Sequence, residues 1–190
     1  MKITSILGSP RTKGNSATLA REFCETARQK GAEVREFVLN KLNFKGCQGC
    51  MACKDDKERC AVQDDLTEVL DAVRETDVLV LASPVYYADI TAQMKAFVDR
   101  TFSFLKPDFE TSSDPCRLEK GKTLVFIQTQ GDDNEASFDN IYPKIQMFFL
   151  FYGFGATHLI RACGVNDLGE VNQKPEIMKQ ARDLAQTLTH

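Results

Sequence analysis

Cys47, Cys50, Cys53 and Cys60 follow one another with the spacing C-x2-C-x2-C-x6-C, in the run Gly46-Cys47-Gln48-Gly49-Cys50-Met51-Ala52-Cys53 and on to Cys60. Thiolates are soft ligands, and this spacing keeps four of them close enough in the chain to share one metal centre. Zinc sites are usually built from two separated pairs, whereas three cysteines on successive two-residue gaps favour a cluster. The bacterial ferredoxin run C-x2-C-x2-C-x3-C-P differs in its shorter last gap and in the proline that stands where this chain has Ala61. Free thiols, structural or reactive, are the alternative. Seven cysteines is an odd number, which argues against a disulfide framework. Cys116 and Cys163 stand alone, and Cys24 shares an apolar helical stripe with Ala20 and Ala27, where a thiol packs like a small hydrophobe. Asp55, Asp56, Lys57, Glu58 and Arg59 fill the last gap, and their charge suits an exposed loop.

A second set of residues suits a phosphate. Gly8-Ser9-Pro10-Arg11-Thr12-Lys13-Gly14-Asn15-Ser16 joins an apolar strand to a helical segment. Gly8 and Gly14 let the backbone turn tightly, Ser9 and Ser16 offer hydroxyls, Asn15 can donate or cap, and Arg11 brings a planar guanidinium. The free amides at a helix start add positive dipole character. The run matches neither G-x-G-x-x-G nor G-x-x-x-x-G-K-[ST], so a nucleoside triphosphate is disfavoured; an ordinary capped turn is the plain alternative. Farther on, Ser83-Pro84-Val85-Tyr86-Tyr87-Ala88-Asp89 places an aromatic pair after a strand, able to wall a flat, mostly apolar ring, with Pro84 fixing the turn and leaving backbone amides free for a polar edge. Thr129-Gln130-Gly131-Asp132 follows another strand; Gly131 permits close approach, and Thr129 and Gln130 carry groups that can bond to a ligand.

These segments need elements to hold them. Apolar runs at 3–7, 34–39, 78–82, 123–129 and 157–162 read as strands, the third apolar on both faces as a central parallel strand is. Helical periodicity occupies 15–31, ending at Gly31; a stretch carrying Leu66, Val69, Leu70 and Val73 after a cap from Asp64 and Asp65; 94–105; 135–152, where Pro143 demands a kink or a later start; and a last stretch with Ile177, Ala181, Leu184 and Leu188. Strands alternating with helices imply an α/β three-layer sandwich: a five-stranded parallel sheet in the flavodoxin-like order 2-1-3-4-5, helices on both faces, and a ligand outside the carboxyl ends of the strands. The cysteine loop, at about 44–63, leaves the second strand at that same edge. Residues 106–121 are polar and read as an excursion over the surface.

With 190 residues, 43% hydrophobic and 27% charged, the chain suits a single domain spanning 1–190. A net charge of −3 gives no basic patch for nucleic acid. No signal peptide or bilayer-spanning run is apparent, so a cytoplasmic location without membrane association is expected. Phe138, Ile141, Tyr142, Ile145, Phe148, Phe149 and Tyr152 form a core stripe that Met147, Leu150 and Phe151 widen beyond one face. A helix apolar most of the way round buries more than one side, and an oligomer interface is expected there. Asp99-Arg100 reads as a helix-end pair holding neighbouring structure; His158, in a strand, and His190 look non-catalytic.

Taken together, Gly8-Ser9-Pro10-Arg11 with Gly14-Asn15-Ser16, the cysteine run with Asp64-Asp65 after it, Ser83-Pro84-Val85-Tyr86, and Lys95 through Asp99-Arg100 resemble the flavodoxin-like flavoproteins of the NADPH-dependent FMN reductase superfamily, and more closely the archaeal and bacterial iron–sulfur flavoproteins. The resemblance implies FMN, its phosphate at Ser9, Arg11, Gly14, Asn15, Ser16 and Ala17, and its ring at Pro84, Val85, Tyr86 and Tyr87, with Thr129, Gln130 and Gly131 matching by position. It implies a [4Fe–4S] cluster on Cys47, Cys50, Cys53 and Cys60, electron transfer between cluster and FMN, NAD(P)H or a ferredoxin-like donor, a small-molecule acceptor, and a homodimer or homotetramer. No side chain then needs to act as acid or base, because the flavin carries the chemistry. The alternatives are a cluster-free NAD(P)H-dependent FMN or quinone reductase, and a non-enzymatic electron carrier.

Overall fold

Five apolar runs bounded by turn residues become five parallel strands: β1 (Lys2–Leu7), β2 (Glu33–Val38), β3 (Val78–Pro84), β4 (Thr123–Thr129) and β5 (Ala156–Ala162), hydrogen-bonded in the order 2-1-3-4-5. The computed structural model describes residues 1–55 and 57–189; Asp56, in the charged stretch of the last cysteine gap, and His190 lie outside the described residues. The register is continuous, with Ile3 opposite Val34 and Val78, Val78 opposite Thr123, and Thr123 opposite Ala156. β3 is buried on both faces up to Pro84, as its unbroken apolar run requires, whereas β2 is a half-exposed edge.

Helices α1 (Asn15–Gln29) and α5 (Pro175–Leu188) cover one face, and α2 (Leu66–Glu75), α3 (Ala92–Arg100) and α4 (Ile141–Phe151) the other. Gly31 ends α1 as expected: at φ 89° it lets Ala32 N–H reach Ala27 O (3.0 Å) and its own N–H reach Arg28 O (2.9 Å), a Schellman turn. Cys24 is buried within the α1 core, and burial pushes its thiol up to about 11, the value of an inert core group. α4 starts later than its apolar pattern, so Pro143 falls in the first turn, where its missing N–H costs no hydrogen bond. Its stripe also differs from expectation. Phe149 and Ile145 are buried, but Phe148 turns outward with Met147, Leu150 and Phe151. The excursion at 106–121 is pinned to the core by Cys116 and Leu118, through an antiparallel bridge between Leu105 and Cys116.

The cysteine loop is closed at its neck by one buried charge. Arg100, 1% exposed, donates to Lys45 O (2.9 Å), Val62 O (2.8 Å) and Asp64 Oδ2 (2.9 Å), joining both ends of the loop to α3. Asp64 also accepts from Lys45 N (3.0 Å) and Leu66 N (3.1 Å), while Asp65 accepts from Asn43 N (2.6 Å). Asp65 is the N-cap of α2 but makes no side-chain cap bond, and only Asp64 accepts from a helix-start amide; together the two aspartates tie the start of α2 to the loop's entry. The expected Asp99-Arg100 pair does not form. Consecutive helical residues face different ways, and Asp99 pairs with Lys95 instead (2.6 Å). Burial works to raise the Asp64 carboxyl's pKa, but the Arg100 guanidinium and the two backbone amides outweigh it and hold it below the ordinary value. Removing one partner of such a pair costs about 3–5 kcal/mol. Arg100→Met should lower the unfolding free energy at neutral pH by about that much in urea. A depressed carboxylate contributes stability above its unfolded pKa of about 4 and loses it as pH falls through the folded value. The gap between wild type and Arg100→Met should therefore narrow below about pH 4.

Candidate functional site

At the carboxyl edge of the sheet, the loops after β1, β3, β4 and β5 border an open cleft. The expected residues Ser9, Arg11, Gly14, Asn15, Ser16, Pro84, Val85, Tyr86, Thr129, Gln130 and Gly131 line it. Ala17 is buried in the first turn of α1 and can offer only its amide. Tyr87 does not line the cleft: it is fully exposed, so of the aromatic pair only Tyr86 forms a wall.

The cradle is built by the start of α1. Gly14 N–H bonds back to Arg11 O (2.9 Å), Arg11 N–H to Ser9 Oγ (3.1 Å), and the first helical bond runs from Thr18 N to Gly14 O (2.9 Å). The amides of Asn15, Ser16 and Ala17 thus have no partners within the helix. Gly14, not Asn15, is the N-cap. Ser16 Oγ is fully buried without a hydrogen-bond partner among the described residues. A buried orphan hydroxyl costs about 1–3 kcal/mol, a cost that an anion accepting from it would remove.

Gly8 and Gly14 are absent from the left-handed backbone residues. Gly8 is needed for closeness instead. A Cβ there would come within 2.9 Å of Met94 Cβ and 3.0 Å of Thr91 Oγ1, because Thr91 donates to Gly8 O (2.8 Å) and draws α3 against the turn.

The other two expected loops use their polar groups differently from expectation. The Val85 amide is spent on Thr129 O (2.8 Å) and the Tyr86 amide on Asp89 O (2.8 Å), so neither is free for a ligand. Tyr87 and Ala88, both left-handed at φ 50° and 63°, form the two-residue turn between Tyr86 and Asp89. The Gln130 side chain is also committed. Its Oε1 accepts from Arg161 Nε (3.2 Å) and Nη2 (3.0 Å), and its Nε2 donates to Asp132 O (3.2 Å) and Asn134 O (3.1 Å). Gln130 therefore shapes the loop, and its backbone is committed as well: its amide donates to Ala162 O (2.9 Å) and its carbonyl accepts from Val165 N (2.9 Å).

Sequence reasoning missed the fourth wall: Val165, Asn166 and Leu168, in the loop after β5. Asn15 ties this loop down, donating to Asp167 O (2.9 Å) and accepting from Val171 N (3.2 Å), and Arg11 donates to Asn166 O (2.9 Å). The run Gly164-Val165-Asn166-Asp167-Leu168-Gly169, rich in turn residues directly after a strand, was the signal available.

The cysteines are elsewhere. None of the four lines the cleft. Arg74 donates to Glu58 O (3.0 Å) and Arg59 pairs with Asp71, so the loop runs back along α2 toward its C-terminal end and leaves the sheet's carboxyl edge. Cys47 and Cys50 are exposed, Cys53 is buried and Cys60 is half-buried. The donor set is right in kind for a soft metal or cluster, but no group of three or more Cys, His, Asp or Glu among the described residues is placed to hold a metal. As arranged, the four thiols do not form a ligand set.

Residues 1–141 match the family model described as NADPH-dependent FMN reductase. The chain belongs to that family. An iron-sulfur flavoprotein from Archaeoglobus fulgidus is 38% identical over 104 residues, covering 55% of this chain and 47% of its own length. An FMN-dependent NADH:quinone oxidoreductase from Alteromonas mediterranea is 29% identical over 176 residues, covering 84% of each. Against the archaeal iron-sulfur flavoproteins, the chain spans about half the length of the curated relatives it matches. The fold is shared with the NAD(P)H:quinone oxidoreductase of Methanothermobacter marburgensis, at a TM-score of 0.77 and 17% identity over 100% of this chain and 98% of that one.

The cleft's two close approaches give contrasting expectations. At Gly8 the obstacle is packed core, and Gly8→Ala should cost about 1–3 kcal/mol of stability. At Gly131 a Cβ would overlap Asn166 Oδ1 and lie 2.8 Å from its Cγ, but Asn166 is exposed and can swing away. Gly131→Ala should melt within about 0.5 kcal/mol of wild type. Urea titrations of the two variants check both values.

Proposed function

We propose that the chain is an FMN-dependent oxidoreductase that passes electrons from a reduced nicotinamide to a small-molecule acceptor such as a quinone. The observation that carries this reading is the orphaned Ser16 hydroxyl, buried beside unbonded amides at the start of α1 and inside the four-loop cleft. That combination suits a terminal phosphate, and the family supports FMN as its bearer. Ser9, Arg11, Ser16 and the amides of Asn15 to Ala17 would hold the phosphate; Pro84, Val85, Tyr86, Thr129, Gln130 and Gly131 would border the ring. When bound, FMN supplies hydride and single-electron chemistry. The chain's own residues bind and orient it: Arg11 balances the phosphate charge, and Tyr86 offers an aromatic surface. None of them needs to move a proton.

The names of the archaeal relatives and the cysteine spacing support a second group, a [4Fe–4S] cluster on Cys47, Cys50, Cys53 and Cys60. With the thiols apart, no electron step is routed through it here. No helix among the described residues is long and apolar enough to cross a membrane, which is compatible with a cytoplasmic enzyme. A homodimer is supported by the outward face of α4. Met147, Phe148, Leu150 and Phe151 are exposed beside a largely apolar groove lined by Cys47, Val98, Phe102, Phe148 and Tyr152. Knobs and groove on one face suit a two-fold contact, and the exposed Lys95 and Asp99 at its rim bring both signs of charge.

Two measurements test these proposals. In a fluorescence titration, Ser16→Ala should weaken FMN binding about 10- to 100-fold, the worth of one hydrogen bond to a charged group, without destabilising the FMN-free protein. Wild type that fails to bind FMN, or that binds it but does not oxidise NAD(P)H with a quinone present, rejects the enzyme reading. In size-exclusion chromatography the wild type should run as a dimer and Phe151→Glu as a monomer; a wild-type monomer removes the interface.

A further inference from the structure

We infer that Lys54 is a latch: it holds the cysteine loop in the arrangement where the thiols lie apart, and it must release before Cys47, Cys50, Cys53 and Cys60 can converge on a soft metal. The inference rests on the proposed ligand set, and it arises from the disagreement between that set's spacing in the chain and its placement in the fold.

Lys54 is a cation buried beside Cys53, at 9% exposure. An ammonium has three N–H donors, and all three are engaged: Phe102 O at 2.7 Å, Leu105 O at 2.9 Å and Cys53 Sγ at 3.6 Å. The amine also sits 4.0 Å from the centre of the Phe102 ring. Arg117 closes the same cage, donating to Cys53 O (3.2 Å) and to Leu105 O. The short turn Ala52–Lys54 is thereby docked on the segment Thr101–Phe104 that follows α3, and Cys53 is drawn into the interior while Cys47 and Cys50 stay in solvent. Cys60 lies on another side of the loop, in a cavity it shares with Arg59 and Arg74.

Two features make this a device with alternatives. Met51, the residue that leads into the docked turn, is left-handed at φ 58°, a conformation that costs a non-glycine residue about 1–2 kcal/mol. Undocking relieves that strain. The neck, by contrast, is fixed by Arg100 through Lys45 O and Val62 O. Glu58 and Arg59 are held to α2 by Arg74 and Asp71, so the movable part is the turn that carries Cys47, Cys50 and Cys53, and Cys60 is the fixed point they must reach. A metal that gathers them takes one proton off each thiol it binds and must also overcome the latch, so its apparent affinity is reduced by the fraction of protein that is unlatched.

The test uses the full chain under anaerobic conditions, with zinc as the probe metal, and reads Lys54 itself. Acetylation by a water-soluble amine reagent, followed by mass spectrometry, should modify Lys54 at least about tenfold more slowly than exposed Lys95 before zinc is added, and at a similar rate after one equivalent. Competition against a chromophoric chelator should show Lys54→Met binding zinc about tenfold more tightly than wild type, the gain expected when a restraint on the competent state is removed. Alkylation of Cys53 should be faster in that variant without metal. If zinc binds while Lys54 stays protected, or if Lys54→Met binds zinc no more tightly, the latch is overturned and the ligand set stands. If neither protein binds zinc stoichiometrically, both fall. The wild-type acetylation decides the question even if the variant does not fold.

Discussion

A guanidinium removed from water draws its hydrogen bonds from the protein, and Arg100 finds three acceptors for its two Nη groups in one place, while its buried Nε has no partner among the described residues. Lys45 and Val62 present carbonyls from opposite ends of the cysteine loop, and Asp64 supplies the countercharge. This constraint arranges much of that face of the molecule. It fixes where α2 begins, because Asp64 and Asp65 are occupied with the loop's entry. It sets the end of α3 against the loop's exit, and it closes a long irregular segment into a compact lobe with a narrow base.

The cleft follows a different logic. Its floor is backbone: close approaches at Gly8 and Gly131, unbonded amides at the start of α1, and loops whose side chains mostly bond to one another. Gln130, Arg161 and Asn15 are polar residues at a ligand edge whose work is to hold loops in shape. The groups left for a ligand are few: the Ser9 and Ser16 hydroxyls, the amides at the start of α1, the Tyr86 ring, and what remains of the Arg11 guanidinium beside its bond to Asn166 O. A site of this kind suits a cofactor that brings its own reactivity and needs mainly to be held.

The sheet order and every strand were legible because central parallel strands are apolar on both faces and the punctuating Gly and Asp residues are unambiguous. Thr123–Thr129 coincides with its expected bounds, and Gly31 closes α1 by the mechanism its residue type suggests. The turn from Gly8 to Ser16 was legible for the same reason: a strand-to-helix turn is a local object, and its residues do line the cleft. What escaped was non-local. Nothing near Asn15 in the sequence says that its amide will serve a loop beyond β5, and nothing near Arg100 says that its partner is Asp64 and not the adjacent Asp99. The cysteine run was the clearest pattern in the chain, but its spacing reports what thiols can reach and not which neighbours, Lys54 among them, hold the loop as it stands.

The Asn15 bridge has a consequence for the order in which this site comes into being. Its partners, Asp167 and Val171, lie 152 and 156 residues farther along the chain, so the cradle at the N-terminus is synthesised first and completed almost last. Contacts of such long range form late, after the loop-closure entropy has been met by other contacts. A nascent chain emerging from the ribosome carries the first loop of the cleft long before it has the wall that shapes it, and a chain that stops before β5 carries that loop without the pocket.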